Sequence, residues 1–151
     1  MTDITINPED PRSGDATALL NASHSLMQTL FPSDSCHYLS IDDLCQPNIH
    51  LFVARHTGTA AGCGALAIYD GYGEVKSMFT TDAFRGQGVA DKLLTHIQAT
   101  ATKHKLPFLR LETGDTLKAA HRLYARHGFR FRSPFGDYTE HPASLFMEKA
   151  L

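Results

Sequence analysis

Arg85-Gly86-Gln87-Gly88-Val89-Ala90 is the stretch of this sequence whose residue types point most directly to chemistry. It stands between a segment patterned as a strand and one patterned as a helix. A helix start carries N–H groups without intrahelical acceptors and the positive end of the helix dipole, so it is a prepared site for an anion. Gly86 and Gly88 let the backbone approach an oxygen-rich ligand with no Cβ in the way. The small Ala90 keeps the helix start open, and Arg85 can add a cationic contact to a phosphate. Taken alone, the two glycines are equally compatible with a tight turn that only caps a helix. Two other phosphate patterns fit badly. The lysine of Gly-x-x-x-x-Gly-Lys-Ser/Thr is missing, and of Gly-x-Gly-x-x-Gly only Gly86 and Gly88 are present.

Other residue classes point away from other chemistries. The nine histidines form no His-Glu-x-x-His and the three cysteines no Cys-x-x-Cys, so no metal is expected. Cys36, Cys45 and Cys63 are an odd set without paired spacing, which reads as reduced thiols in a cytosolic compartment. Cys63 sits in an apolar strand pattern and reads as a small hydrophobe. A formal net charge of −2 gives no electrostatic case for nucleic acid. No apolar run approaches the roughly 20 residues of a membrane helix, and Met-Thr-Asp-Ile-Thr lacks the features of a signal peptide. The expectation is a cytoplasmic protein that binds neither nucleic acid nor membrane.

The glycine turn needs a scaffold, and the 151 residues are enough for one domain, 1–151, with its own core. Residues 3–6 alternate as a first strand. Asp10-Pro11 reads as an N-cap with proline at the first helical position. Leu19, Leu20, Ser23, Leu26, Met27 and Leu30 follow at helical spacing until Phe31-Pro32 stops the run. A short second helix is expected over 40–44. Strands over 49–56, 61–69 and 74–80, joined by turns at 57–59 and 70–71, predict an antiparallel meander. In the third of these, Val75, Ser77 and Phe79 are expected on one face and Glu74, Lys76 and Met78 on the other. Val89, Leu93, Leu94, Ile97 and Ala101 then make a helical stripe. A strand over 108–112 follows, and it should lie parallel to 74–80 because a helix separates them. Leu117, Ala120, Leu123 and Tyr124 form another stripe, closed by Gly128. Strands over 129–131 and 144–148 finish the chain. The fold class is mixed α/β: a mostly antiparallel, twisted sheet of six to seven strands with about four helices on both faces.

Two segments carry a family resemblance. Arg85-x-x-Gly88-x-Ala90, after Met78-Phe79-Thr80, resembles the acetyl-CoA signature Gln/Arg-x-x-Gly-x-Gly/Ala of the GCN5-related N-acetyltransferase (GNAT) family. Ala119-Ala120-His121-Arg122-Leu123-Tyr124-Ala125-Arg126-His127-Gly128-Phe129 resembles that family's second motif, an alanine, then Leu-Tyr, then Gly-Phe. Order and separation agree, and the element order matches that fold along nearly the whole chain. Glu74-Val75-Lys76, Leu111-Glu112-Thr113-Gly114, Pro134-Phe135-Gly136-Asp137-Tyr138 and Phe146-Met147-Glu148-Lys149 suggest a subgroup of small bacterial-type acetyltransferases without fixing a substrate.

The resemblance implies an enzyme that passes the acetyl group of acetyl-CoA directly to a primary amine of a small molecule or peptide, with no metal and no covalent enzyme intermediate, as a monomer or homodimer. It implies that the backbone of Met78, Phe79 and Thr80 pairs with the pantetheine arm. The amides from Gly86 through Gln87, Gly88 and Val89 to Ala90, with Arg85 beside them, would hold the pyrophosphate. Tyr124 is implied as the general acid toward the departing thiolate; spacing alone would make it a core tyrosine. Glu74 is the first candidate for the base that deprotonates the amine, with a strand-start carboxylate paired to Lys76 as the other reading. Glu112 or a water chain is the second. Asp34, Asp42 and Asp43 could meet a cationic substrate or simply be solvated, and Tyr138 and His141 could line the acceptor pocket. His37, His50 and His121 read as surface or partly buried structural residues. Two other classes compete: a non-catalytic acyl-CoA-binding regulatory module, and a nucleotide-binding fold of another kind.

Overall fold

Period-two patterning and the turn residues Thr57-Gly58 and Asp70-Gly71 build the centre of the molecule, three antiparallel strands in sequence. The computed structural model describes residues 3–33 and 36–151. In chain order the elements are β1 (Ile4–Pro8), α1 (Gly14–Leu30), α2 (Ile41–Leu44), β2 (Ile49–His56), β3 (Thr59–Tyr69), β4 (Tyr72–Thr80), α3 (Val89–Lys103), β5 (Phe108–Gly114), α4 (Lys118–Arg126), β6 (Arg130–Arg132) and β7 (Ser144–Ala150). A one-turn 3-10 helix, Asp82–Phe84, precedes the glycine turn. The sheet has seven strands in the order β1-β2-β3-β4-β5-β7-β6. Only β4 and β5 run parallel, as the strand–helix–strand step through α3 requires.

Apolar stripes set the two layers. Val89, Leu93, Leu94, Ile97 and Ala101 of α3 are all buried, and they pack with Leu66, Val75, Leu109, Leu111, Leu123, Tyr124 and Met147. Each large side chain sealed there contributes about 1.5–3 kcal/mol relative to exposure. On the other face Ala16, Leu19 and Leu20 of α1 pack with Leu44, Leu51, Val53, Cys63 and Ala65. Cys63 is the small hydrophobe expected, and burial pushes its thiol up to about 12. Gly128 (φ 93°) ends α4 with paired bonds, Gly128 N–H to Ala125 O and Phe129 N–H to Tyr124 O, each 3.0 Å.

Two local expectations are corrected. Helix α1 starts at Gly14, with Ser13 as its N-cap accepting the Ala16 N–H at 3.1 Å. Asp10 instead accepts the Arg12 N–H at 2.9 Å, which closes a turn one step before the helix. The second correction lies in β4, where the alternation resets. Pairing with β3 runs Leu66↔Val75 and Ala65↔Lys76, then shifts to Cys63↔Phe79. Ser77 takes a left-handed conformation (φ 57°), so one extra residue is accommodated in a bulge. Val75 and Met78 therefore pack on the α3 side, while Phe79 packs on the α1 side with Cys63 and Ala65. Glu74 and Lys76 share the α1 face with Phe79, and Met78 is on the opposite one.

The bulge coincides with a parting of strands. β4 and β5 pair only at Gly73↔Leu109 and Glu74↔Arg110. Beyond Glu74 the β5-facing edge of β4 loses its strand partner, while its other edge stays paired to β3 as far as Gly62↔Thr80. Gly62 is required at that pairing. A Cβ there would meet the Phe79 carbonyl oxygen at 2.5 Å and Val89 Cγ1 at 3.0 Å. Gly62→Ala is expected to destabilise the fold by about 1–3 kcal/mol in urea unfolding. Gly14→Ala, where a Cβ meets nothing within 4 Å, should stay within about 0.5 kcal/mol of the parent.

Candidate active site

The parting of β4 and β5 opens a cavity of about 690 Å³, walled by β4 from Val75 to Thr80, β5 from Glu112 to Gly114, the glycine turn, α4, α1 and residues 36–38. Its floor is an unpaired strand edge at Met78, Phe79 and Thr80, which can hydrogen-bond an extended chain as a neighbouring strand would. The side chains of Met78 and Phe79 are spent on core packing, so the backbone is what they offer.

At one end lies the start of α3. Gly86 and Gly88 are left-handed (φ 77° and 83°), and a Cβ on either would stand in open space. Lys92 N–H is the first to bond back, to Gly88 O at 3.1 Å. The N–H groups of Val89, Ala90 and Asp91 thus have no intrahelical acceptor and point out of the helix start. Gln87 folds its side chain back onto Ala83 O at 3.3 Å, Val89 is buried in the core, and both can contribute only main chain. Arg85 lines the cavity while pairing with exposed Asp82 at 3.1 Å. This end fits a pyrophosphate: glycines, free amides and adjacent cations, with no side chain in the way.

Sequence reading missed two residues here. Arg122 lines the cavity from α4, and no ion-pair partner for it is present among the described residues. Asp91, in the first turn of α3, accepts from His127 Nε2 at 2.9 Å and from Arg126 at 3.3 Å. The His127 bond first, and Arg126 next, hold its carboxyl below the ordinary range. Gln98 donates to His127 Nδ1 at 3.0 Å, which leaves Nε2 as the nitrogen that donates to Asp91. The end of α4 is thereby tied to the start of α3.

At the other end the titratable groups gather. Tyr124 is 7% exposed and lines the cavity. Its ring meets Phe129 edge-on at 5.7 Å, and its hydroxyl has no hydrogen-bond partner among the described residues. Burial, and then the charge of Glu112, push the phenol above its ordinary value, so it stays a protonated donor at neutral pH.

Glu74 is buried and already engaged. It accepts the Tyr138 hydroxyl at 2.6 Å and faces Lys76 Nζ at 3.4 Å. Lys76 also donates to Tyr138 Oη at 2.9 Å and to His37 O at 2.8 Å. Burial, then Glu74, push the Tyr138 phenol upward. Lys76 and His37 face the cavity, whereas Glu74 and Tyr138 stand behind its wall. Glu112 does line it.

The remaining candidates are structural or elsewhere. Asp43 closes a capping box with Ser40 at the start of α2, and exposed Asp42 pairs with Arg12 at 2.5 Å. Asp34 lies outside the described residues. His141 accepts the Ala143 N–H in a local turn at 3.0 Å, His121 bonds Gly114 O at 2.8 Å, and His50 lies beside His104.

Burial raises the Glu112 carboxyl above the ordinary carboxylate range, against the opposing pull of Ser144, His37 and Lys76. A raised folded-state value means that the protonated form fits the fold better. Its stabilising contribution is complete below the unfolded value of about 4.3 and is lost as pH rises through the folded value. Glu112→Gln should therefore melt higher than the parent at pH 7–8, with the difference vanishing near pH 4 in thermal scans.

Comparison with known proteins agrees with this geometry. The profile of the acetyltransferase (GNAT) family matches residues 17–129. A protein of Azospirillum brasilense named IAA acetyltransferase is 40% identical over 153 residues, covering 100% of both chains. A crystal structure from Klebsiella pneumoniae, assigned to the acyl-CoA N-acyltransferases, superposes with a TM-score of 0.83 at 33% identity, covering 99% of this chain and 98% of that one. The fold is also that of a GNAT family acetyltransferase from Elizabethkingia anophelis solved with acetyl-CoA bound (TM-score 0.72, 20% identity, 99% of each chain). With a split sheet, a free-amide helix start and a donor tyrosine in the opening between them, this chain belongs to the GNAT family of acetyl-CoA-dependent N-acetyltransferases.

Proposed function

We propose that the chain moves the acetyl group of acetyl-CoA directly onto a primary amine, with Glu112 receiving the amine's proton and Tyr124 hydrogen-bonding the departing sulfur. The observation that carries this reading is the placement of these two groups. A desolvated carboxylate from β5 and an unpartnered hydroxyl from α4 line one cavity. The amides from Gly86 to Ala90 supply the anchoring end, with Arg85 and Arg122 as its cations, and the free β4 edge at Met78, Phe79 and Thr80 supplies the guide. Acetyl-CoA, when bound, supplies an activated acyl carbon and a thiolate leaving group.

An alkylamine with a pKa near 10.4 is neutral in only about one molecule per thousand at neutral pH. Glu112 takes the extra proton of the ammonium form, directly or through a water. The freed nitrogen lone pair forms the C–N bond, and the C–S bond breaks with its electron pair going to sulfur. The nitrogen's remaining surplus proton ends on that sulfur, so amine plus thioester becomes amide plus thiol. A thiol with a pKa of about 8.5 is a stronger acid than a phenol raised above 10. Tyr124 accordingly stabilises the developing thiolate mainly by donating a hydrogen bond, and full proton transfer is secondary. Glu112 is favoured over Glu74 as the base because Glu74 already accepts from Tyr138 and faces Lys76.

Tyr124→Phe is expected to lower kcat about 10- to 100-fold while the KM for acetyl-CoA changes little; an unaltered kcat removes Tyr124 from the mechanism. In kcat/KM profiles the parent should show an acidic limb displaced above the ordinary carboxylate range, because the base must be ionised to act. Glu112→Gln should erase that limb. If Glu74→Gln erases it instead, the base is Glu74. Arg122→Ala should raise the KM for acetyl-CoA severalfold at unchanged kcat, with a weaker dependence of that KM on salt.

A further inference from the structure

We infer that the acceptor is a small primary monoamine with an apolar, arylalkyl body, and that polyamines, aminoglycosides and zwitterionic amino acids are rejected. The inference rests on the acetyl-transfer reading above and deepens it to a substrate class. It follows from what the acceptor side of the cavity offers beyond Glu112.

The same cavity is lined from α1 and the segment after it by Leu26, Met27 and Tyr38. The Tyr38 ring is held in place from behind. It stacks on His24 with ring centres 4.1 Å apart and planes 16° from parallel, and its hydroxyl accepts from Gln28 at 2.7 Å. Burial lowers the His24 imidazole below its ordinary value, so the backing ring is uncharged at neutral pH. A flat, fixed, uncharged surface beside a thioether and a leucine favours an apolar or aromatic body, and little ordering cost remains to be met on binding.

The charges on this wall count against other acceptors. Among the described residues, the carboxylates lining the cavity are Glu112 and Asp91. Asp91 is committed to His127 and Arg126 at the pyrophosphate end. One carboxylate remains for one ammonium, and a second ammonium would be desolvated without a partner. Lys76 also lines the cavity and acts on Glu112, but its three donors already face Glu74, Tyr138 and the His37 carbonyl. The His37 ring stands edge-on to Tyr138 at 5.3 Å, and any charge on it faces Glu112. With Arg85 and Arg122 assigned to the pyrophosphate end, the carboxylate of a free amino acid meets no cation left over for it.

The test measures CoA thiol release by the full chain at saturating acetyl-CoA with phenethylamine, phenylalanine and spermidine. Phenylalanine differs from phenethylamine by the carboxylate alone, and spermidine exchanges the ring for further ammonium groups. The kcat/KM for phenethylamine should exceed each of the others by about tenfold or more, as burial of an aromatic body and the desolvation of an unpaired charge require. Met27→Glu, checked for an unchanged melting profile, should cut the phenethylamine value about tenfold and narrow the gap to spermidine. Faster turnover of spermidine or phenylalanine overturns the inference and leaves acetyl transfer to amines standing. Thiol release with none of the three, in a protein whose melting temperature acetyl-CoA raises, overturns the inference, and no release across a broad panel of primary amines overturns acetyl transfer to amines as well. The comparison on the parent protein decides the matter even if the variant does not fold.

Discussion

A single failure of strand pairing governs this molecule. β4 and β5 hold together at Gly73 and Glu74 and then separate. The left-handed Ser77 turns β4 at that place. A buried strand edge without a partner is normally costly, because each unpaired amide and carbonyl has lost water and gained nothing. Here the edge faces a cavity instead of packed side chains, so the unpaired groups stay accessible to water or a ligand. The glycine turn, α4 and α1 all border that opening, and each contributes something the strand edge cannot. The turn offers free amides, α4 offers a hydroxyl, and α1 offers an apolar wall.

Holding such an opening apart demands rigidity next to it. Glu74, Lys76 and Tyr138 supply it on the α1 face. Tyr138 donates to Glu74 and accepts from Lys76, and Lys76 reaches the backbone of the segment after α1. Three stretches of chain far apart in sequence are joined by one satisfied buried network. Its net energy is modest, since desolvation offsets most of the attraction, but removing Glu74 or Lys76 alone would strand the other's buried charge. Tyr138 is fixed in turn by a cluster of rings: Phe135 stands 5.1 Å from it, Phe146 5.4 Å. Arg110 and Arg132 flank Phe135 and share Glu148, at 2.7 and 2.6 Å. On the opposite face, the Asp91–His127 contact does comparable work between α3 and α4.

Much of the scaffold could be read from local signals. The strand at 49–56, the stripe on α3 and the glycine that ends α4 each follow from a short-range rule of period or capping, and the structure has them where those rules put them. The free-amide turn was legible for the same reason. The bulge was not. In Glu-Val-Lys-Ser-Met-Phe the polar–apolar alternation breaks at Lys76-Ser77, but no glycine or asparagine marks the left-handed residue; Ser77 is held there by pairing with β3 on either side. The start of α1 was misplaced because Asp10-Pro11 and Ser13 both carry capping chemistry, and the observed bonds decide between them, Asp10 accepting the Arg12 N–H and Ser13 the Ala16 N–H. Contacts such as Tyr138 with Glu74, or His127 with Asp91, join residues with no shared local pattern. The same is true of the cavity position of Arg122, which a helical stripe analysis assigns to solvent.

The two ends of the cavity are made of different material. The end at the glycine turn offers mostly main chain, namely amides at a helix start, glycine conformations and a strand edge, with Arg85 and Arg122 beside them. The wall from α1 and the segment that follows it is built from side chains. Main-chain recognition is indifferent to most substitutions that preserve the fold, whereas the wall changes character with each residue replaced. Leu26, Met27 and Tyr38 therefore form an interchangeable module. If the acceptor binds against this wall as proposed, retooling the enzyme toward a new one is a problem of three or so positions on a surface helix and its trailing segment.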